Sequence, residues 1–232
     1  MINGKIVLAC LILPLIACYN ENNALLLEGT FFETEIDSVF YYEYVLEDTK
    51  ELLYSEDFND LDTDWWTGEN GELSADIRFG EYQLENNDRD VLQWIFATWS
   101  IDPDRNFDLE ATIRVNNSND DDGGGFGLSD TQGNLITLIM NHKNEVSINK
   151  WDANQSELTR PLDWEEKYWI DSFHGTILTI RKLNDQYIFF ADQKYIGVSL
   201  NQQELSSTRI VFYFKGDAEM YVDAVSLHYI NE

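Results

Sequence analysis

The stretch from residue 107 to 115 most narrowly limits what this chain can fold into. Phe107, Leu109, Ala111, Ile113 and Val115 alternate with Asp108, Glu110, Thr112 and Arg114, the two-residue period of a strand with one buried and one polar face. Shorter runs rich in β-branched and aromatic residues recur at 81–85, 91–98, 134–140, 145–151, 176–182, 186–191, 209–215 and 219–230. Between them stand turn-forming groups such as Glu69-Asn70-Gly71, Thr131-Gln132-Gly133-Asn134, Leu183-Asn184-Asp185 and Lys215-Gly216-Asp217, which punctuate strands. No helical period of comparable strength occurs. The expectation is an all-β fold, a two-sheet antiparallel jelly-roll sandwich, because so many strands leave exposed edges unless the sheets close or stack. Two runs, 91–97 and Ile210-Val211-Phe212-Tyr213-Phe214, are apolar at successive positions. One side of each packs between the sheets, and the other is either covered or a binding surface. At 232 residues the chain has room for one such unit and short extras. The sandwich is assigned to 54–232, and 18–53 is read as a tether and lead-in segment.

The N-terminus reads as an address. Lys5 precedes an apolar run, Ile6 to Ala17, broken by Pro14; it is too short to cross a hydrocarbon core of about 30 Å as a helix, but it suits the h-region of a secretory signal. Leu15-Ile16-Ala17-Cys18 resembles the lipobox of bacterial lipoproteins. That resemblance implies a signal peptide at 1–17, a diacylglyceryl group on Cys18, and a membrane partner reached through acyl chains worth about 0.8 kcal/mol per buried CH₂. With Cys10 removed, Cys18 has no partner for a disulfide. Tyr19 stands where an Asp would resemble an inner-membrane retention signal, so the expected location is the cell envelope, at the outer membrane. The chain carries 43 Asp and Glu against 15 Lys and Arg, a formal charge of −28, which excludes a phosphate-neutralising nucleic-acid surface. At 44% hydrophobic and 14% aromatic, it is no disordered acidic tail either.

A longer resemblance spans 54–230. The ordered motifs Glu56-Asp57-Phe58, Trp65-Trp66, Gly80-Glu81-Tyr82, Asn106-Phe107-Asp108-Leu109-Glu110, Gly124-Gly125-Phe126-Gly127-Leu128, Thr176 to Lys182, Tyr187-Ile188-Phe189-Phe190 and Tyr221-Val222-Asp223 are similar to the concanavalin A-like lectin/glucanase superfamily, including its laminin G-like and family 16 glycosidase-like modules. The resemblance implies a jelly roll whose concave sheet often binds carbohydrate, in a group that also has adhesive and structural members. In the family 16 enzymes the two carboxyl groups of a retaining hydrolase come from a Glu-x-Asp-x-x-Glu strand or its one-residue-shorter form. The nearest fragment here, Glu35-Ile36-Asp37-Ser38-Val39-Phe40, lacks the final acid and precedes the sandwich.

Other chemistry has weaker footing. His142, His174 and His228 lack metal-ligand spacing, no Gly-x-Ser-x-Gly occurs, and Gly123-Gly124-Gly125-Phe126-Gly127, without a following Lys-Ser/Thr, reads as a turn. No cofactor is implied beyond structural calcium, which suits oxygen donors. One candidate set is Asp120 and Asp122 beside Asn116, Asn117 and Asn119, where a solvated acidic loop is the plainer reading. The other is Asp223 with Glu56 or Asp57, where a hydrogen-bonded structural Asp is the plainer reading. Trp151 and Trp164 bracket a polar stretch, and with Arg160 they form the candidate platform for stacking a sugar. The reading is therefore a non-catalytic envelope lipoprotein whose sandwich binds carbohydrate. Its alternatives are an adhesion or assembly module for an envelope protein and a divergent glycoside hydrolase. Cys18→Ala is expected to move the protein from the detergent phase to the aqueous phase in phase partitioning; retention in the detergent phase would contradict lipidation.

Overall fold

The two-residue period is carried into two antiparallel sheets. The computed structural model describes residues 42, 45–60, 65–88, 92–117, 119–184, 186–200, 205 and 208–231; the signal run, Cys18 and Glu35-Ile36-Asp37 lie outside the described residues. In chain order the strands are β1 (Lys50–Glu56), β2 (Gly68–Asn70), β3 (Leu73–Arg78), β4 (Glu81–Asn86), β5 (Leu92–Ile101), β6 (Phe107–Asn117), β7 (Gly123–Ser129) and β8 (Leu135–Met140). They continue as β9 (Glu145–Asp152), β10 (Glu157–Glu166), β11 (Thr176–Leu183), β12 (Gln186–Ala191), β13 (Lys194–Leu200), β14 (Thr208–Lys215) and β15 (Ala218–Ile230). One sheet runs β13-β12-β11-β6-β15-β4-β3-β2, with β1 also paired to β15; the other runs β10-β9-β8-β7-β14-β5. The expected two-sheet sandwich is the observed fold.

Alternate residues of both sheets meet in one core. Tyr82, Leu109, Ile113, Val222 and Leu227 of the nine-stranded sheet share it with Phe126, Leu138, Phe212 and Phe214 of the six-stranded sheet, each large side chain contributing about 1.5–3 kcal/mol by leaving water. Phe58, Trp65, Tyr82, Trp99 and Phe212 form a continuous aromatic group inside it.

Two local readings change. The glycine-rich run is a strand interior instead of a turn, because β7 begins at Gly123. A Cβ on Gly125 or Gly127 would collide with the β8 backbone at Leu138 or Ile136, so the close approach of β8 excludes larger residues there. The alternation of Tyr221, Asp223, Val225, Leu227 and Tyr229 in the sequence, which would put Asp223 on the apolar face, does not hold. A bulge between Val222 and Ala224 puts Val222, Val225, Leu227 and Tyr229 in the core and leaves Asp223 outside it with Tyr221, as an extra residue in one strand does. Asp223's carboxyl is raised from its ordinary value by burial first, then by its hydrogen bond and charge contact with Glu81, with Arg114 opposing.

The polar side of β6 is less exposed than its alternation implies. Asp108 and Arg181 are fully buried on the outer side of the nine-stranded sheet, where Arg181 Nε and Nη2 donate to Asp108 Oδ1 at 2.6 Å and Oδ2 at 2.7 Å. Lys50 Nζ stands 3.1 Å from Asp108 Oδ2. Tyr42 covers the pair: its carbonyl accepts from Arg181 Nη1 at 2.9 Å, its hydroxyl donates to Glu110 Oε1 at 2.9 Å, and its ring lies under the guanidinium at 5.0 Å. Removing one member of such a cluster strands a buried charge. Arg181→Met is expected to lower unfolding stability by about 3–5 kcal/mol, and Arg181→Met with Asp108→Leu to recover most of that loss. Urea unfolding followed by tryptophan fluorescence checks both, and a single-variant loss under about 1 kcal/mol would contradict the assignment.

Candidate functional site

The side of the six-stranded sheet that faces away from the core is built from the strand positions the core does not use. On β8 these are Leu135, Thr137 and Ile139, because Ile136, Leu138 and Met140 point inward. The register then places Trp151, Asn149 and Ser147 of β9 beside them, and Ser129, Gly127 and Gly125 of β7 on the other side. Val211, Tyr213 and Lys215 of β14 come next, followed by Phe96, Trp94 and Leu92 of β5. Leu135, Ile139, Val211 and Tyr213 are buried and form a second apolar cluster against which Leu92, Trp151 and Trp164 pack. Trp94 and Phe96 are partly open to solvent, at 41% and 38%.

Trp164 and Arg160 reach this face because β10 is irregular. Its pairing with β9 shifts register between Thr159 and Leu162 and again between Leu162 and Glu165, so Arg160, Pro161, Asp163 and Trp164 leave the ladder. Such irregularities re-aim side chains, and Pro161, which has no N–H to donate, is tolerated on this edge strand. The Trp164 ring lies over the glycine track of β7: a Cβ on Gly123 would sit 2.9 Å from its Cη2. Lys215 Nζ is 5.9 Å from the centre of the same ring.

The electrostatics join these groups. Lys215 is held below its ordinary value by burial first and then by the charge of Arg160, with Asp121, Asp122 and Asp163 pulling the other way. The Tyr213 hydroxyl is pushed up to about 12 by burial, which the charge of Arg160 partly offsets. Lys215 Nζ donates to the Asp121 carbonyl at 2.5 Å, and Arg160 Nη1 touches Asp163 Oδ1 at 3.4 Å. One end of the face thus combines two cations, three carboxylates and two aromatic rings.

Four buried polar atoms on this face have no hydrogen-bond partner: Thr137 Oγ1, Asn149 Nδ2, Tyr213 Oη and Trp164 Nε1. Thr137 and Asn149 are register partners. Thr137, Tyr213 and Asn149 are only 1%, 2% and 3% exposed. An unsatisfied buried polar group costs roughly 1–3 kcal/mol; elsewhere among the described residues Trp99 Nε1, Trp169 Nε1, Tyr187 Oη and His228 Nδ1 share this condition, so what distinguishes this face is that four such atoms lie on it together.

The structure packs Trp151 and Trp164 against the same outer cluster, but at its two ends, Trp151 beside Leu135 and Trp164 over Gly123 with Arg160 acting on Tyr213 and Lys215. Asp122 stands at the same end, but its Oδ2 is taken by Asn119 Nδ2 at 2.7 Å and by the Asp217 N–H at 3.3 Å, while Asp120 pairs with Lys143 at 2.6 Å. Asp223, Glu56 and Asp57 belong to the other sheet's neighbourhood, where Glu56 Oε1 accepts from the Phe58 N–H and Asp57 Oδ1 from the Asn59 N–H. Among the described residues no group of three or more His, Cys, Asp or Glu is arranged to hold a metal ion. Thr137, Asn149, Tyr213 and Lys215 were not singled out in the sequence; the doubly apolar run around Tyr213 was the available signal.

The outer side of the nine-stranded sheet carries a groove of about 420 Å³ lined by Asp76, Arg78, Glu85, Glu219 and Tyr221. Glu85 and Glu219 are directly opposed there, and the Tyr221 hydroxyl donates to Glu219 Oε2 at 2.9 Å.

No family model matches the sequence, and no curated protein matches it. Solved structures do. The catalytic domain of an endo-1,3-β-glucanase (laminarinase) from Thermotoga petrophila RKU-1 aligns over 79% of this chain and 99% of its own, with a TM-score of 0.60 and 12% identity. The β-glucanase of Bacillus licheniformis aligns over 77% and 98%, with a TM-score of 0.58 and 10% identity. The κ-carrageenase of Pseudoalteromonas carrageenovora, solved with an oligotetrasaccharide of κ-carrageenan, aligns over 78% and 95%, with a TM-score of 0.57 and 12% identity. The fold is thus the concanavalin A-like jelly roll that the ordered motifs implied. These neighbours also correct the expectation of a non-catalytic module: domains that span nearly their whole length in the same fold hydrolyse glycans, so one missing sequence motif is no ground for excluding catalysis here.

Thr137→Val and Tyr213→Phe each remove an unpartnered polar atom while keeping the shape. Each is expected to leave stability unchanged or raise it by about 1 kcal/mol in urea unfolding, and a loss above about 1 kcal/mol would show that the hydroxyl has a partner in the free protein.

Proposed function

We propose that this chain is a divergent glycoside hydrolase whose glycan lies across the outer face of the six-stranded sheet. The observation that carries the reading is the convergence of aromatic surface and unpartnered buried polar atoms, Tyr213 and Trp164 with Thr137 and Asn149, on one face. Sugar C–H faces stack on aromatic rings, and sugar hydroxyls supply the donors and acceptors those atoms lack. The likeness to laminarinase, β-glucanase and κ-carrageenase domains supports carbohydrate as the substrate class.

Hydrolysis of a glycosidic bond needs one carboxyl group as acid and a second as nucleophile or base. Asp163 and Asp121 are the candidates for these roles by position: Asp163 Oδ1 accepts from the Trp164 N–H at 2.9 Å and faces Arg160 Nη1 at 3.4 Å, and the Asp121 carbonyl accepts from Lys215 Nζ at 2.5 Å, whereas Asp122 is committed to Asn119 and the Asp217 backbone. A second reading places the chemistry at Glu85 and Glu219. Directly opposed strand residues have Cβ atoms about 4.5–5.5 Å apart, so the two carboxyl groups stand side by side at the groove. In either reading the enzyme is exported, held by a lipid on Cys18 at the outer membrane, and acts on glycan met at the cell envelope.

Reducing-end release from a panel containing laminarin, mixed-linkage β-glucan and carrageenan tests the proposal. The full-length protein is expected to cleave at least one of them, and Asp163→Asn or Asp121→Asn to lower the rate by roughly 10²–10⁴-fold. Loss with Glu85→Gln or Glu219→Gln instead moves the site to the groove, and binding without any cleavage contradicts hydrolysis.

A further inference from the structure

A strand that is buried on its outer side needs a cover, and β12 is such a strand. Tyr187, Phe189 and Ala191 point into the core, so Ile188 and Phe190 face away from it. Both are nonetheless buried, at 4% and 0% exposure. The register extends this apolar surface to either side. Ile188 is opposed to Val198 of β13, and Phe190 to Tyr195. On β11, Ile177 shares the outer side with Thr179 and Arg181, because Leu178 and Ile180 point inward. Ile177 and Val198 are each more than a third exposed, so the surface is apolar beyond the part that is covered.

Tyr42 supplies one piece of the cover. Its ring meets Phe190 edge-on at 5.3 Å, beside its bonds to Arg181 and Glu110. From Tyr42 the chain continues past the buried Val45 to β1, whose Lys50 reaches Asp108 of β6 and whose backbone pairs with β15. It therefore travels from β12 and β11 across β6 toward β15, the order in which these strands stand in the sheet. Followed backwards along that line, the residues before Tyr42 come over β12 and β13. They include Ile36, Val39, Phe40 and Tyr41, side chains suited to an apolar surface. The compact unit that holds both sheets also begins at Thr34, well ahead of β1.

We infer that the outer side of β11, β12 and β13 is the docking surface of residues 34–41, with Tyr42 as the lock at its inner end. The length suffices: eight extended residues reach about 26 Å, and the two strand spacings from β11 to β13 take about 10 Å. The lead-in is then a strap of the sandwich, and only 18–33 is left to serve as tether. Under the lipid-anchored reading, that tether reaches at most about 55 Å when fully extended. The strap is independent of whether the sandwich hydrolyses glycan.

Limited proteolysis of the full-length protein, with a synthetic peptide of residues 30–46 as the unprotected reference, tests the inference. Chymotrypsin after Phe40 and Tyr41, and a glutamate-specific protease after Glu35, are expected to cut the protein at least about tenfold more slowly than the peptide, since cleavage of a docked segment follows the fraction of time it is open. Val198→Asp and Ile177→Asp each put a carboxylate into the docking surface at a partly exposed position, and each is expected to speed all three cuts about fivefold or more. Circular dichroism establishes that the sheets are intact, and either variant suffices if the other fails to fold. Wild-type protein cut at the peptide's rate overturns the inference. So does protection confined to Phe40 and Tyr41, which the Tyr42 contact alone would give, and so does protection that a folded Asp variant leaves unchanged, which would place the segment on another surface.

Discussion

Everything in this fold depends on the fact that a β-strand has two sides and a sandwich buries only one side of each sheet. The inner sides, carrying Leu109, Ile113, Phe126, Phe212 and Phe214 among others, close against each other and leave each sheet with an outer side whose use is not dictated by folding. The two outer sides are used differently. On the nine-stranded sheet the centre is closed by Tyr42 over the Asp108–Arg181 pair. On the six-stranded sheet the centre is apolar, and no described strand lies across it beyond the reach of Trp151, Trp164 and Arg160. Under the glycan proposal, that side is what remains for a ligand once the core has taken every inward position.

The glycines of β7 keep one strand of that face free of side chains. Gly123, Gly125 and Gly127 present no side chain at the middle of the sheet, and the tight approach of β8 prevents one from being added. Stability near this strand depends on backbone pairing and on the inward Phe126 and Leu128, while the track above it is left for Trp164 to overhang. Unsatisfied polar atoms cost the free protein stability. Ligand binding would return that stability, which links the marginal features of the fold to its proposed use.

The sequence made the sandwich legible because strand alternation and turn residues are local signals, and the nearly ideal run from Phe107 to Val115 became one long strand. It made half of the site legible as well, since Trp151, Arg160 and Trp164 fall on adjacent strands at either end of one connection. Tyr213, Lys215, Thr137 and Asn149 were not legible. Their grouping requires β14 to lie beside β7, a pairing across roughly 80 residues that no local pattern encodes. The same limit hid the burial of Asp108, which reads as a solvent-facing position until Arg181 and Tyr42 arrive from distant parts of the chain. The bulge at Asp223 and those of β10 were hidden for a different reason: one extra residue inverts which face the following side chains occupy, and alternation alone does not show where it is inserted.

The central claim is that the outer face of the six-stranded sheet receives the glycan. The most direct measurement is NMR of the ¹⁵N-labelled tryptophan indoles during titration with oligosaccharides of a polysaccharide the protein retains. The account predicts that the resonances of Trp164 and Trp151 shift with saturation, Trp164 most because its unpartnered Nε1–H gains an acceptor, while those of Trp65 and Trp99 in the core stay in place. Saturable binding that leaves Trp151 and Trp164 unmoved would contradict it and place the glycan elsewhere on the molecule.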